Sequence, residues 1–152
     1  MTTYADSSAV VPLYVTERFS QAAESALRTS GPIPFTAIHQ LEIANAFERL
    51  VGRALITRDQ CRAVMRQLRD DLDSHRLTPV SLDFDAVFAQ AGELSSRYAA
   101  KHLVRSLDLL HVAAAHLISC TRFVSADDRQ LAVAKATGLK TIDIKRRIRS
   151  RR

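Results

Sequence analysis

Short apolar segments alternate with longer segments of helical periodicity along the whole chain, and this alternation constrains the fold more than any other feature. The short segments predict β-strands at 2–5, 33–35, 79–82, 122–125 and 141–144. Short strands that alternate with helices are typical of an α/β fold in which helices cover both faces of a parallel sheet. A chain of 152 residues with 47% hydrophobic content has the size and composition of one such domain.

The intervening segments predict helices, whose ends are set by capping residues and helix breakers. Predicted helices cover 9–14, 17–28, 36–51, 58–74, from Asp83 or Asp85 to about 100, 108–119 and 127–137. Thr57 is a good N-cap for the helix that follows it, and Gly138 is a good stop for the last helix.

Four acidic residues stand in apolar or small-residue surroundings: Asp6, Glu42, Asp108 and Asp127. A carboxylate in such surroundings is costly to desolvate unless a cation or hydrogen bonds compensate. One shared divalent cation is the simplest compensator for all four. Asp6 and Asp127 each follow a predicted strand, and the carboxyl ends of parallel strands lie at one edge of a sheet. We therefore expect these two at that edge, with Glu42 and Asp108 pointing toward it from helices.

Four blocks of the chain, taken in order, resemble the acidic blocks of PIN-domain nucleases. They are Tyr-Ala-Asp-Ser-Ser-Ala at 4–9, Thr36 with Leu-Glu-Ile-Ala-Asn-Ala at 41–46, Arg-Ser-Leu-Asp-Leu-Leu-His-Val-Ala-Ala-Ala at 105–115, and Phe-Val-Ser-Ala-Asp-Asp-Arg-Gln-Leu-Ala at 123–132. Together they span nearly the whole chain. A single-domain PIN protein of this length resembles the VapC toxins of toxin–antitoxin pairs.

The resemblance implies a three-layer sandwich, with a central parallel sheet of about five strands flanked by helices, over a single PIN-like domain at 1–144. It implies an endoribonuclease that depends on Mg²⁺ or Mn²⁺, a small antitoxin as partner and a homodimer. Carried over by position, the acidic set is Asp6, Glu42, Asp108 and Asp127, and Ser125 matches the small hydroxyl residue of the last block. Asp128 replaces Asp127 in this set if the strand end is shifted by one position.

Mg²⁺ suits this chemistry, because it prefers carboxylate oxygens and keeps waters that a phosphate can replace. We expect Asp6 and Asp108 to be direct ligands and Asp127 a ligand directly or through water. Glu42 binds through water or orients the attacking water. Whether the site holds one metal ion or two remains open.

Each acid also has a simpler interpretation. Asp6 and Asp127 could cap helices, Glu42 could be exposed, and Asp108 could pair with Arg105, three residues earlier. The supporting candidates are equally open: Ser7 and Ser125 orient carboxylates or metal-bound water, or only cap, and Arg105 contacts an RNA phosphate or only Asp108. His111 favours a role in helix packing over that of a catalytic base.

The net charge of +6 favours an acidic partner, but six cations lie in the basic tail at 145–152. That tail contacts RNA, contacts an acidic protein segment, or only adds solubility. With no tryptophan and 6% aromatic residues, an aromatic platform for single strands is not expected. Recognition of a structured RNA such as tRNA through shape and phosphates is favoured, with Arg97, Lys101, His102 and Arg105 as candidate contacts.

No apolar run reaches the roughly 18 residues that span a bilayer, and the N-terminus lacks the pattern of a secretory signal. We therefore expect a cytoplasmic protein without a membrane partner. Cys61 and Cys120 are too far apart for a CxxC motif, which argues against a disulfide scaffold or zinc ribbon. Two other functions remain open: a housekeeping RNA-processing nuclease, and a catalytically silent PIN-like binding module.

Overall fold

Five short strands form the centre of the part of the chain that the structure describes, as the sequence predicts. The structure is a computed structural model and describes residues 2–146. The strands are β1 (Thr3–Ala5), β2 (Ile33–Phe35), β3 (Leu77–Pro79), β4 (Arg122–Ser125) and β5 (Lys140–Asp143). Strand β4 lies between β1 and β5 in a three-stranded sheet, β2 pairs with β3, and all three pairings are parallel. The hydrogen-bonding ladder is thus divided between two sheets.

The division between the two sheets follows from Pro34, the middle residue of β2. On either side of Pro34, the backbone groups of Ile33 and Phe35 point toward β3. The Ile33 N–H donates to the Arg76 carbonyl oxygen, and the Phe35 carbonyl oxygen accepts from the Val80 N–H. Alternation therefore turns the Pro34 position toward β1, and proline has no N–H to donate there. On the β1 side the Ala5 carbonyl oxygen accepts from the imidazole Nε2 of His39 instead, at 2.7 Å.

Seven α-helices of the described chain connect and cover these strands. They are α1 (Ser7–Val10), α2 (Ser20–Leu27), α3 (Ala37–Gly52), α4 (Arg58–Asp73), α5 (Phe84–His102), α6 (Ser106–Leu117) and α7 (Asp128–Ala136), with a 3-10 turn at Val11–Leu13. The predicted caps are present: Thr57 accepts from the Gln60 N–H, and Asp83 from the Ala86 N–H. Gly138 has a positive φ of 93° just after α7, as expected of a helix stop.

Several boundaries differ from the sequence prediction. Helix α1 begins at Ser7 instead of 9, α2 begins at Ser20 instead of 17, and β3 and α6 are shifted as well. Strand β3 ends at Pro79 instead of beginning there, because the buried Leu77 is the residue that pairs with Ile33. Helix α6 starts at Ser106, two residues early, because the Asp108 carboxylate folds back to accept from the Arg105 N–H at 3.3 Å.

Side chains alternate across the three-stranded sheet and enter two separate cores, which confirms the three-layer arrangement. Tyr4 and Phe123 pack in one core with α5, α6 and α7. Their neighbours Ala5 and Val124 pack in the other core with α1, α2, α3 and α4. The period of two along each strand therefore builds a layer of helices on each face.

Both cysteines are buried free thiols, Cys61 in one core and Cys120 in the other. No helix of residues 2–146 is both long enough and apolar enough to cross a membrane. At the start of the basic tail, Lys145 pairs with Asp128 at 2.9 Å and Arg146 with Asp143 at 3.2 Å. The remainder of the predicted tail, 147–152, lies outside the described residues.

Candidate active site

Asp6 lies at the carboxyl end of β1 and caps α1, and it is almost completely buried, at 4% exposure. Its carboxylate accepts hydrogen bonds from Ser8 Oγ (2.7 Å to Oδ1), the Ala9 N–H (3.1 Å) and Ser125 Oγ (2.9 Å to Oδ2). Burial raises the pKa of Asp6 from its ordinary 3.8 to about 6, although the charge of His111 and these hydrogen bonds oppose the increase. A carboxylate with this pKa is poised to gain from a nearby cation.

The hydroxyl of Ser125, the last residue of β4, links Asp6 to the turn that carries Asp127. Ser125 Oγ accepts from the Asp127 N–H at 2.9 Å and also lies 2.9 Å from Gln130 Oε1. Ser8 Oγ supports the same turn by accepting from the Ala126 N–H at 2.9 Å. The ends of β1 and β4 are thereby held together, as the expected convergence at one sheet edge requires.

Asp127 caps α7 with one carboxylate oxygen and leaves the other beside a cation. Its Oδ1 accepts from the N–H groups of Arg129 (2.8 Å) and Gln130 (3.0 Å). Its Oδ2 lies 3.9 Å from Nη2 of Arg105. The neighbouring Asp128 is exposed and pairs with Lys145. Of the two adjacent acids, Asp127 is therefore the one that faces the edge where Asp6 lies.

Asp108 lies in the first turn of α6 and is close to both Arg105 and Asp127. Its Oδ2 is 3.5 Å from Nε of Arg105. Burial, the negative charge of Asp127 and, more weakly, that of Glu42 raise the pKa of the Asp108 carboxyl, while Arg105 lowers it. Gln130 ties the start of α6 to α7, because its Nε2 donates to the Asp108 carbonyl oxygen at 3.0 Å. Asp108 is thus electrostatically coupled to two of the other three acids.

Glu42, on α3, is bound by His111 rather than exposed on its helix. His111 Nε2 contacts Glu42 Oε2, and Ser7 Oγ donates to the same oxygen at 2.7 Å. On the other side of the ring, Nδ1 of His111 is 2.7 Å from the hydroxyl of Tyr4. Burial by itself raises the pKa of Glu42, but the hydrogen bond and charge of His111, with Ser7, bring it below its ordinary value. Glu42 is therefore held ionised.

The four predicted acids thus lie around one edge of the sheet, each already engaged by protein groups. In the described part of the chain, no three histidine, cysteine, aspartate or glutamate side chains form a group arranged to hold a metal ion. The other predicted phosphate contacts, Arg97, Lys101 and His102, lie near the end of α5, and the chain reaches Arg105 three residues beyond that helix.

Sequence reasoning missed several residues that shape this site. His39, Ser8, Gln130 and the Tyr4 hydroxyl have no predicted role in holding the acids, and for His111 the sequence favours a role in helix packing. Their partners are distant in sequence: Tyr4 and His111 are 107 positions apart, and Ser8 and Ala126 are 118 apart. One signal was available, since His39 stands three residues after Thr36, where it closes a capping box with that residue.

The donor set fits a divalent cation of the Mg²⁺ or Mn²⁺ kind in its chemistry. The four side chains offer carboxylate oxygens, which these ions prefer, and Mg²⁺ needs few of them because it keeps several waters. The raised pKa values of Asp6 and Asp108 show two carboxyls in surroundings that disfavour negative charge. A cation at this edge would favour their ionised forms.

In parallel α/β folds, ligands bind beyond the carboxyl ends of the strands, which is where these acidic side chains lie. The chain belongs to the PIN-domain family, since the family model of the PIN domain matches residues 3–136. PIN domains are generally nucleases. The chain is also similar in fold to the crystal structure of FitAcB from Neisseria gonorrhoeae, with 15% sequence identity and a TM-score of 0.63, over 95% of this chain and 99% of that one. No curated protein matches the chain.

Proposed function

We propose that this PIN protein is a metal-dependent endoribonuclease and the toxin of a toxin–antitoxin pair. The observation that carries the enzymatic part is the connection of all four family-type acids around one sheet edge. Ser125 joins Asp6 to the Asp127 turn, and Arg105 joins Asp127 to Asp108. His111 joins Glu42 to the same group, because it contacts Glu42 and lowers the pKa of Asp6 through its charge.

In this proposal Asp6, Asp108 and Asp127 hold Mg²⁺ or Mn²⁺. When bound there, such an ion would supply Lewis-acid chemistry: it would polarise the scissile phosphate and lower the pKa of an attacking water. Ser8 and Ser125 keep the Asp6 carboxylate oriented toward the site. The two carboxylate oxygens of Asp127 have different roles. Oδ1 accepts from the N–H groups at the start of α7, and Oδ2 faces the position of a cation.

Glu42 orients water in this proposal, and His111 fixes its position. His111 is only 1% exposed, so its ring cannot contact RNA directly. Its contact with the site is made through Glu42. Nε2 of His111 contacts Glu42 on one side of the ring, and Nδ1 lies 2.7 Å from the Tyr4 hydroxyl on the other. A buried chain of hydrogen bonds thus runs from β1 through α6 to α3.

Cleavage of a structured RNA by the purified protein tests the enzymatic proposal. We expect cleavage with Mg²⁺ or Mn²⁺ and none with EDTA. The double variant D6N/D108N is expected to abolish it while preserving the far-UV circular dichroism spectrum. D128N is the matched control, because Asp128 is an acid near the same edge that faces Lys145. Cleavage by the double variant at the wild-type rate would refute the assignment.

The toxin role and the partners are tested separately. Expression of the chain is expected to arrest growth, and a small neighbouring reading frame that encodes the antitoxin is expected to restore it. Growth arrest that no neighbouring frame reverses favours a housekeeping RNA-processing nuclease. Light scattering tests the proposed homodimer: a single species of about twice the 16.9 kDa chain mass is expected.

The alternative of a silent PIN-like binding module has its own support. Each of the four carboxylates contacts protein groups, and within residues 2–146 no three metal-ligating side chains form a metal-holding group. Titration with Mn²⁺ separates the two proposals, because a silent module is expected to bind RNA or protein without binding the ion.

A further inference from the structure

Arg105 occupies a particular place in the candidate site: its guanidinium lies between two of the acids. Nε is 3.5 Å from Oδ2 of Asp108, and Nη2 is 3.9 Å from Oδ2 of Asp127. The two acids come from different helix ends, since Asp108 lies in the first turn of α6 and Asp127 caps α7. One monovalent cation therefore faces two carboxylates whose charges repel each other.

The backbone places Arg105 there. The residue is extended, with φ −88° and ψ 160°, directly before α6. Its own N–H donates to the same Asp108 oxygen that its Nε faces. The capping box of α6 therefore places the guanidinium next to the carboxylate.

The contact is suited to exchange. The Arg105 side chain is 75% exposed, whereas those of Asp108 and Asp127 are 15% and 27% exposed. Ion pairs with an exposed partner are weak because water screens them. At 3.5 and 3.9 Å these are charge contacts and not close hydrogen bonds. The arginine can therefore leave at small cost, while the acids remain in place.

The other two acids are compensated by groups that cannot leave as easily. Asp6 is held by hydroxyls and an amide in a nearly closed setting, and Glu42 by the buried His111. The Asp108–Asp127 pair is thus the part of the site where a bound cation, the Arg105 guanidinium, can be replaced by a metal ion. The influence of Arg105 on the pKa of Asp108 is opposite in sign to that of Asp127, as expected of an internal counter-ion.

We propose that Arg105 is the internal counter-cation of the Asp108–Asp127 pair, and that it competes with the divalent ion for these two carboxylates. The inference rests on the metal site of the proposed function. Arg105 stabilises the acidic pair in the metal-free protein, and it weakens metal binding because it must be displaced when the ion binds.

Isothermal titration of the metal-free 152-residue chain with Mn²⁺ tests this competition. Removal of the competing cation by R105Q is expected to tighten Mn²⁺ binding about two- to fivefold over wild type. R105K keeps the charge and is expected to restore affinity close to wild type. R129Q is the matched control: Arg129 is an exposed arginine near the same edge, but its guanidinium donates to the Leu103 carbonyl oxygen.

The outcomes separate this inference from the proposed function. Tighter binding by R105Q than by both R129Q and R105K supports the competition. If wild type binds Mn²⁺ but R105Q binds no tighter than R129Q, the competition is overturned and the metal site stands. If wild type and all three variants bind no Mn²⁺, the metal site itself is overturned, and the role of Arg105 falls with it.

Discussion

The imidazole of His39 occupies a place that a neighbouring strand would ordinarily fill, with its Nε2 2.7 Å from the Ala5 carbonyl oxygen. The opposite nitrogen, Nδ1, accepts from the Thr36 N–H at 3.1 Å, so Nε2 carries the proton and donates to Ala5. Burial and the charge of His111 lower the pKa of His39 to about 3, in keeping with a neutral ring. A side chain of α3 thus completes the hydrogen bonding of the strand that carries Asp6.

Replacement of His39 by alanine is expected to destabilise the protein. The variant leaves the Ala5 carbonyl oxygen without its donor and opens a cavity at a fully buried position. We expect a loss of about 2–4 kcal/mol in the free energy of unfolding. Urea denaturation measures it, with H102A on the partly exposed end of α5 as control. A loss no larger than that of H102A would contradict the structural role of His39.

The pH dependence of stability is expected to reflect two buried groups with opposite effects. As pH falls, His39 protonates at about 6.5 in the unfolded chain but only at about 3 in the folded one, so stability is lost across that window. Asp6 behaves in reverse: the folded carboxyl takes up its proton at about 6 and the unfolded one at 3.8, so stability is gained as pH falls.

D6N removes the contribution of Asp6 to the pH dependence of stability and leaves that of His39. Between pH 6 and pH 4, in buffer with EDTA, D6N is expected to lose about 1–2 kcal/mol more stability than wild type loses. Urea denaturation at the two pH values provides the measurement. Parallel losses in the two proteins would show that Asp6 does not bind its proton more tightly when folded.

Asp127 and Asp128 are adjacent acids that the sequence alone could not separate. Asp127 faces Arg105 and the sheet edge, whereas Asp128 is exposed against Lys145. If Asp127 holds the ion, D127N is expected to weaken Mn²⁺ binding ten- to a hundredfold, with a parallel loss of cleavage. D128N is expected to behave as wild type, and the reverse order would reassign the site to Asp128.

Removal of the Tyr4 hydroxyl tests the buried support of Glu42. Y4F keeps the ring that stacks on Phe123 but leaves Nδ1 of His111 without its 2.7 Å partner. We expect a stability loss of about 1–2 kcal/mol and a lower cleavage rate. Mn²⁺ affinity is expected to change less than in D127N, because Tyr4 acts on the site only through His111 and Glu42. Unchanged stability would argue against the Tyr4–His111 hydrogen bond.

Truncation after Arg146 tests the remainder of the basic tail. It removes Arg147, Arg149, Arg151 and Arg152 but keeps the ion pairs of Lys145 and Arg146. If the tail contacts phosphates, the truncated protein binds RNA more weakly, and its affinity depends less on salt, by about 0.7 to 0.9 in log–log slope for each lost contact. Identical salt dependence would leave the antitoxin or solubility as the role of the tail.

The elements of the fold were largely predictable because their signals are local. Thr57 caps its helix, Gly138 ends α7, and the apolar 122–125 segment forms β4 as periodicity indicates. Strand β3 was misplaced because 77–82 is apolar at several positions, and only the pairing of Leu77 with Ile33 selects the strand. Such a partner 44 residues away leaves no mark in a local window.

The candidate site was predictable in its acids and in three of their neighbours, Ser7, Ser125 and Arg105. Asp6, Glu42, Asp108 and Asp127 stand out by their apolar surroundings, and the resemblance orders them. The groups that hold them, such as Ser8 and Gln130, are ordinary polar residues whose role depends on packing across the sheet. His111 contacts Glu42 because α3 and α6 approach each other in the fold. No spacing in the sequence indicates this contact.

Ser125 has one hydroxyl proton and two acceptors at 2.9 Å, Oδ2 of Asp6 and Oε1 of Gln130. A single proton cannot serve both acceptors at once. The orientation of this one hydroxyl therefore decides whether the end of β4 is bonded to the first strand or to Gln130, whose amide binds the Asp108 carbonyl oxygen at the start of α6.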